Sequence, residues 1–240
     1  MIYEFESRIR FSEVDENGYL SLPALMNYLQ DCATFHGEET GVGLDWIAEH
    51  RQTWVLASLR LHVFRYPKYA ETIRVSTWAH GFRGFLGYRD FAADTPSGEI
   101  IARGKSDWVF MDMQANKPMN VPPEQTNAYG IEADKALKDI YGRRKIRLSD
   151  CGETGSPFVI HESNLDTNRH VNSCQYIMMA QNLLPAGFPV NHLRAEYKRQ
   201  AYLGDVITPV IYEVDHGYAV TLLNKDGEPY FVGEFTDAVI

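Results

Sequence analysis

The chain carries one short sequence pattern twice, and this internal repeat limits what it can fold into. Val14–Ser21 parallels Leu165–Asn172, and both stretches have an Asp at their second position and an Asn at their fourth. A further echo relates Tyr69–Ile73 to Leu203–Ile207. Internal self-similarity of this kind is the signature of a repeated structural unit. The sequence therefore predicts two copies of one fold in tandem.

The secondary structure predicted for each half follows the same order: a strand, a loop, a helix and then several strands. In the first half, apolar spacing predicts a helix over residues 22–36 and strands over 3–11, 54–64, 73–79, 88–94 and 100–113. In the second half it predicts a loop over 163–172, a helix over 173–184 and strands near 157–162, 193–200, 205–214, 217–223 and 229–237. Such an order indicates an α+β fold. We expect a tandem double hotdog, in which the antiparallel sheet of each half wraps round a central helix.

The connection between the two halves is predicted where the pattern breaks. Asn120–Glu124 contains two adjacent prolines, which indicate a domain boundary. We expect an N-terminal hotdog domain over residues 1–125, a connecting segment over 126–145 and a C-terminal hotdog domain over 146–240. A short charged helix is predicted within the connecting segment, over residues 131–141.

Composition narrows the class of protein further. Hydrophobic residues make up 45% of the 240 residues, which is typical of a globular chain, and no apolar run approaches the ~20 residues of a membrane span. Three cysteines are too few for a disulfide framework, and no signal-peptide pattern opens the chain, so we expect a cytoplasmic protein. The net charge of −9 disfavours nucleic acid as a partner. The oligomeric state stays open, with a homodimer as one alternative.

Three polar residues of the later repeat are the main candidates for chemistry. Asp166, Asn168 and His170 alternate in a loop that a helix is predicted to follow, with Asn172 and Ser173 as suitable N-cap residues. A histidine exchanges protons near neutral pH, and a carboxylate or amide can orient it or activate water. The alternative is a plain turn, because Asp and Asn are common turn residues. The earlier repeat has Tyr19 where the later one has His170, so any site belongs to the second copy.

Other kinds of catalytic site are not supported by the sequence. The eight histidines are scattered and no His-Glu-x-x-His or paired-cysteine spacing occurs, so we expect no metal. There is no Gly-x-Ser-x-Gly nucleophile elbow. Cys174 follows the polar loop, but a buried structural cysteine is the simpler interpretation.

Eight short stretches of the chain form a pattern when they are taken in order: Leu25–Gln30, Trp54–Leu56, Arg65–Pro67, Thr77–Trp78, Arg89–Asp90, Trp108–Met111, Asp166–Asn172 and Glu196–Arg199. This pattern resembles the acyl-acyl carrier protein thioesterases, the plant FatA/FatB-like enzymes and their bacterial relatives. The resemblance spans essentially the whole chain. It implies a double hotdog fold and hydrolysis of the thioester between a fatty acyl chain and the phosphopantetheine arm of its carrier protein. This reaction would terminate fatty acid synthesis, and we expect it to need no cofactor.

The chain departs from the family pattern at two positions. At the stretch that begins with Glu196, the family pattern is Glu-Tyr-Arg-Arg-Glu-Cys. The resemblance implies that the last two residues of this pattern belong to the active site. Here the corresponding residues are Gln200 and Ala201. A thiolate cannot form at position 201, so we expect Asp166 and His170 to activate water, with Gln200 as an auxiliary hydrogen-bonding group.

The resemblance also suggests roles for two further groups of residues. Carrier proteins are acidic, so two basic clusters are docking candidates, unless they are simply solvated surface: Arg143, Arg144, Lys145, Lys198 and Arg199. The acyl chain is expected in the first copy, near Met26, Leu29 and Trp54. An acyl-CoA thioesterase and a non-catalytic acyl-binding protein remain the alternative functions.

Overall fold

The computed structural model describes residues 1–138 and 145–238, which fall into two compact units. The first unit comprises Met1–Ala57 and Val63–Ile140, and the second comprises Ser58–His62 and Tyr141–Ile240. Each unit contains an antiparallel sheet region with helix packed on it, which confirms the predicted α+β class.

The first unit begins with a strand and a long helix and continues mainly as strands. Its elements are β1 (Ile2–Arg8), α1 (Leu22–Glu39), α2 (Leu44–His50), β2 (Gln52–Val63), β3 (Thr72–Arg83), β4 (Leu86–Asp94), β5 (Ile100–Asp112), β6 (Lys117–Pro118) and α3 (Pro123–Tyr129). The strand order is β1-β3-β4-β5-β2, with β6 paired to β5, and the β1–β3, β3–β4 and β4–β5 pairs are antiparallel.

The central helix of this unit, α1, is fixed by a cap and by its apolar face. The Ser21 hydroxyl accepts a hydrogen bond from the Ala24 N–H and satisfies one of the free donors of the first turn. Leu25, Leu29 and Cys32 are buried, at most 2% exposed, and lie on one helical face. This face packs against β1 and β3, so the helix occupies the centre of the unit as predicted.

The second unit repeats the arrangement. Its own elements are β7 (Glu153–Thr154), β8 (Phe158–Val159), α4 (Ser173–Gln181), β9 (His192–Tyr197), β10 (Val206–Val214), β11 (Gly217–Leu223) and β12 (Pro229–Thr236). The order is β2-β9-β12-β11-β10-β7, with β8 paired to β10 and with β2 represented by Ser58–His62. Helix α4 packs against β11 and β12, whose inward residues Val220, Phe231 and Phe235 are fully buried.

Several element predictions need correction. The sequence did not predict α2 or α3, and of the two adjacent prolines Pro122 is the N-cap of α3 and Pro123 its first residue. The charged helix predicted over 131–141 was wrong for the described part, which holds only a single 3-10 turn. The backbone of this segment forms hydrogen bonds with distant parts of the chain instead of within a helix. The Glu132 N–H donates to the Ala79 carbonyl, and the Leu137 N–H donates to the Asp90 carboxylate. Helix α4 ends at Gln181, three residues before the predicted end.

A buried polar cluster lies inside the first unit, between α1 and the sheet. The Arg89 guanidinium donates to Nδ1 of His36 at 3.0 Å and to Oγ1 of Thr77 at 3.1 Å, and it lies over the Tyr129 ring. His36 is fully buried. Burial, together with the neighbouring Arg89 charge, lowers the pKa of His36 to about 3. The imidazole is therefore neutral in the folded protein at any pH near neutrality.

Folding stability should consequently fall as the pH drops below 6.5. Unfolded His36 takes up a proton at its ordinary pKa while the folded form does not, so the folded state loses stability in acid. Between about pH 7.5 and about pH 5.5 this residue alone should remove about 1.4 kcal/mol. Urea unfolding of wild type and His36→Gln at both pH values measures the difference. An equal pH dependence in the two proteins would contradict a neutral buried His36.

Candidate active site

The loop before α4 is a tight turn built on one carboxylate oxygen. Oδ1 of Asp166 accepts the backbone N–H groups of Asn168 at 2.8 Å and His170 at 3.2 Å. A short antiparallel bridge between Leu165 and Val171 closes the turn. Asp166 thus contacts the backbone of His170, and the structure places its carboxylate as a turn-forming group.

The corresponding loop of the first unit is built in the same way. Oδ1 of Asp15 accepts the N–H groups of Asn17 and Tyr19, both at 2.9 Å. The residue before Tyr19 is Gly18, with φ +77°, and the residue before His170 is Arg169, with φ +60°. The two copies of the sequence repeat therefore form the same hydrogen bonds, and the Asp of each copy holds its turn in the same way.

The loop is joined firmly to the start of α4. The Asn172 side chain accepts the Cys174 N–H at 2.8 Å and caps the helix, as its N-cap position predicts. Asn164 donates from Nδ2 to Oε1 of Gln175 at 3.0 Å, which links the loop entrance to the first turn of the helix. These contacts hold the loop that carries His170 in place relative to the start of α4.

A second loop brings Gln200 and Tyr202 to the same place. The Val171 N–H donates to the Ala201 carbonyl at 3.0 Å, and the Ala201 N–H donates to the Tyr176 hydroxyl at 2.9 Å. The Tyr202 ring meets the His170 ring edge to face, with centroids 5.1 Å apart and planes at 81°. The Tyr202 hydroxyl lies 3.5 Å from Oε1 of Gln200.

The structure thus pairs the His170 ring with Tyr202, whose hydroxyl in turn lies by Gln200, rather than with the side chains of Asp166 and Asn168. Within residues 1–138 and 145–238, the His170 imidazole has no hydrogen-bond partner, and the Asn168 side chain is exposed. The sequence did not indicate Tyr202. The echo between Tyr69–Ile73 and Leu203–Ile207 was the signal available, because it marks the segment directly after Tyr202 as part of the repeated unit.

The second unit combines this histidine with a cluster of aromatic side chains. His170 is half-buried, so its ring can be reached from the surface of the unit. Tyr176, Tyr197 and Phe231 form an aromatic cluster with centroids 5.3 to 6.0 Å apart, and this cluster is linked to the loop through the hydrogen bond between Tyr176 and Ala201. A few polar groups in largely apolar surroundings are typical of sites for hydrophobic substrates.

The three residues expected near an acyl pocket lie in the first unit. Met26 and Leu29 are core residues of α1, 3% and 2% exposed. Trp54 is half-buried, packs on Phe110 and donates from Nε1 to Gln125 at 2.9 Å. A cavity of about 110 Å³ in this unit has a different lining, made by Phe5, Ser7, Arg10, Glu13, Ala24, Asn27, Tyr28, Asp31 and Phe35.

Two of the docking candidates, Lys198 and Arg199, are paired with acids. Lys198 contacts Glu196, and Arg199 contacts Glu228 at 2.7 Å. Lys145 is exposed, whereas Arg143 and Arg144 lie outside the described residues. Two of the expected docking cations therefore have neutralised charges, and exposed pairs of this kind add little to stability.

Over residues 1–138 and 145–238, no group of three or more His, Cys, Asp or Glu side chains is placed to hold a metal ion. In the same ranges, no helix has both the length and the apolar character needed to cross a membrane.

The cysteines should be dispensable for any chemistry at this site. Cys32 and Cys174 are buried, and burial raises the pKa of Cys32 to about 12, so neither thiol is a ready nucleophile. Cys151 is exposed and will react first with iodoacetamide. We expect alkylation of the folded protein to leave kcat largely unchanged, as measured against an untreated sample. Complete inactivation that a Cys→Ser variant prevents would assign that cysteine a role.

Known proteins with similar structures share this fold over nearly the full length. An acyl-ACP thioesterase from Bacteroides thetaiotaomicron superimposes with a TM-score of 0.88 at 24% identity, covering 98% of this chain and 97% of that one. A 12:0-ACP thioesterase from Umbellularia californica gives a TM-score of 0.86 at 20% identity, covering 98% and 96%. Likeness at this identity is evidence of fold, and it confirms the predicted tandem double hotdog.

Curated relatives are plant enzymes of greater length. An oleoyl-acyl carrier protein thioesterase from Coriandrum sativum is 26% identical over 91% of this chain and 65% of its own length. Oleoyl-acyl carrier protein thioesterase 2 from Arabidopsis thaliana is 24% identical over 85% of this chain. The match spans 61% of the Arabidopsis enzyme, so this chain covers less than two thirds of both.

The family itself is shown by a sequence model of the acyl-ACP thioesterase N-terminal domain. This model matches residues 1–129 of the 240, more than half of the chain. The match ends before the loop that carries His170. The chain belongs to the acyl-ACP thioesterase family.

Proposed function

We propose that this protein hydrolyses the thioester of fatty acyl-acyl carrier protein and releases a free fatty acid. The observation that carries the proposal is the repeated loop, which is kept in both units but bears a histidine only in the second. Membership of the acyl-ACP thioesterase family supplies the substrate class. Release of the acyl chain would terminate fatty acid synthesis, and we place the reaction in the cytoplasm.

The chemistry assigned to the second unit is attack by water. His170 takes a proton from the water as its oxygen forms a bond to the thioester carbonyl carbon. Collapse of the tetrahedral intermediate breaks the carbon–sulfur bond, and the proton on His170 passes to the leaving thiolate. The products are a fatty acid and the free thiol of the carrier arm, so one water molecule is consumed.

The other candidate residues support this step. Asp166 holds the loop that presents His170, and Asn168 lies within the turn with an exposed side chain, where its amide can contact substrate. Gln200 has an amide, which donates and accepts hydrogen bonds but cannot act as a base. Ala201 carries no thiol, so no acyl-cysteine intermediate is included.

We further propose that the first unit receives the acyl chain. It lacks a histidine at the paired position and has large apolar residues, among them Met26 and Leu29 on α1 and Trp54 on β2. The carrier protein is acidic, so exposed cations such as Lys145 are candidates for its docking, with the salt-bridged Lys198 and Arg199 as weaker ones. Assembly as a homodimer remains part of the proposal.

The decisive experiment compares one acyl group on two carriers. Purified protein is incubated with a series of acyl-carrier proteins of graded chain length and with the matching acyl-CoA thioesters, and free fatty acid is quantified against a no-enzyme control. We expect faster release from the carrier protein. Equal or faster release from CoA would favour an acyl-CoA thioesterase.

One observation favours a second candidate function. Because Gln200 and Ala201 replace the Glu-Cys pair that the family resemblance implies, the protein could bind acyl chains without hydrolysing them. In that case no acyl-carrier substrate would release fatty acid above the control, while a fluorescent fatty acid would still bind.

A further inference from the structure

We infer that Tyr202 is a positioning residue of the candidate site, where it orients His170 through its ring and Gln200 through its hydroxyl. The inference rests on the proposed hydrolytic function and adds a residue to it. Tyr202 is the side chain that touches both of the others, with 5.1 Å between the two ring centroids and 3.5 Å between its hydroxyl and Oε1 of Gln200.

The ring contact supplies the orientation that His170 otherwise lacks. Within the described residues, no hydrogen bond fixes the plane of this imidazole, so it would rotate freely in the absence of packing. An edge-to-face aromatic pair has a preferred geometry, and the planes here meet at 81°. Tyr202 therefore limits the directions in which His170 can present its ring nitrogens to a water molecule.

The Tyr202 hydroxyl orients the side-chain amide of Gln200. The Tyr202 hydroxyl donates to Oε1, which leaves the two N–H donors of the amide to point away from Tyr202. Donors of this kind stabilise the negative charge that develops on a thioester oxygen. A glutamate at position 200 would have no such donor, so the tyrosine and the glutamine act as a pair.

Hydrogen bonds hold the backbone of Tyr202 in place, as a positioning residue requires. Its N–H donates to Oδ2 of Asp205 at 2.9 Å, and the same oxygen accepts the Tyr230 hydroxyl at 2.9 Å. The preceding residue, Ala201, is fully buried and bonded to the Tyr176 hydroxyl. The side chain itself is 48% exposed, so it can meet a substrate that approaches from solvent.

The first unit provides an internal comparison. Lys68 occupies the position of Tyr202, its N–H donates to Oε2 of Glu71 at 3.0 Å, and its ammonium lies 5.5 Å from the centroid of the Tyr19 ring. The backbone scaffold and the contact between these two positions are thus repeated, whereas an aromatic residue stands at the position of Tyr202 only in the unit that has His170. A purely structural need for a ring at this position would apply to both units.

The test measures steady-state hydrolysis of one acyl-carrier substrate by three variants. Tyr202→Phe keeps the ring and loses the hydroxyl, so kcat should fall about 2- to 10-fold, as expected for the loss of one hydrogen bond. Tyr202→Leu loses both contacts, and kcat should fall roughly 100-fold because His170 is no longer positioned. KM should change little in both. Lys68→Leu in the first unit is the matched control and should keep wild-type kcat and KM.

A double-mutant comparison separates positioning from stability. In the Gln200→Leu background, Tyr202→Phe should have no further effect on kcat, since the hydroxyl has lost its partner. Wild-type kcat in Tyr202→Leu, or a loss confined to KM, would overturn the inference. Full activity of His170→Ala would instead overturn the proposed site, so the two failures are distinguishable.

Discussion

Replacing His170 by alanine should lower kcat by roughly 10²- to 10⁴-fold, the usual contribution of a general acid–base group. The histidine is the side chain that distinguishes the second loop from the first, since both loops share the Asp and Asn positions. Its removal leaves the turn intact, because the turn uses the His170 backbone N–H and not the imidazole. Kinetics with acyl-carrier substrate, supported by an unfolding curve, test this expectation.

The matched control is the tyrosine at the same place in the first unit. Tyr19→Ala removes a ring from an equivalent turn, with the same backbone hydrogen bond to Asp15, and should leave kcat close to wild type. Near-wild-type turnover by folded His170→Ala would remove His170 from the mechanism. A loss of equal size in both variants would mean that the loops act through folding alone.

The repeat could be predicted from the sequence because it is local. Asp-x-Asn turns and helix caps form between residues that are close in sequence. Ser21 and Asn172 therefore stand directly before the helices that they cap. The same holds for long strands with alternating burial. The segment over 131–138 was mispredicted because its partners, Ala79 and Asp90, are distant in sequence.

The candidate site could be predicted only in part for the same reason. Asp166, Asn168 and His170 occur together in one loop, and the structure places them in one turn. The local pattern could not show that the Asp166 carboxylate bonds to backbone instead of to the imidazole. Tyr202 and Gln200 reach His170 through the hydrogen bond between Val171 and Ala201, which joins segments 30 positions apart. Such a contact depends on tertiary structure.

The second large effect is expected at Asp166, and it separates two roles of a carboxylate. Asp166→Ala removes both hydrogen bonds to Oδ1, which should destabilise the fold by about 1–3 kcal/mol. The loop would then present His170 imprecisely, so kcat should fall roughly 100-fold. Asp15→Ala removes the equivalent bonds of the first unit and should destabilise to a similar degree, with a much smaller effect on kcat.

The discriminating variant is Asp166→Asn, whose side-chain oxygen can still accept both N–H groups while the negative charge is gone. If the carboxylate acts by holding the turn, Asn should restore stability and most of the turnover lost in Asp166→Ala. Urea unfolding and kcat are measured on the same preparations of Asp166→Asn, Asp166→Ala and Asp15→Ala. An Asn variant as stable as wild type but as inactive as Ala would show that the charge itself enters the chemistry. We would then assign the Asp166 carboxylate to activation of the reacting water, because a stable loop without this carboxylate would have failed to support turnover.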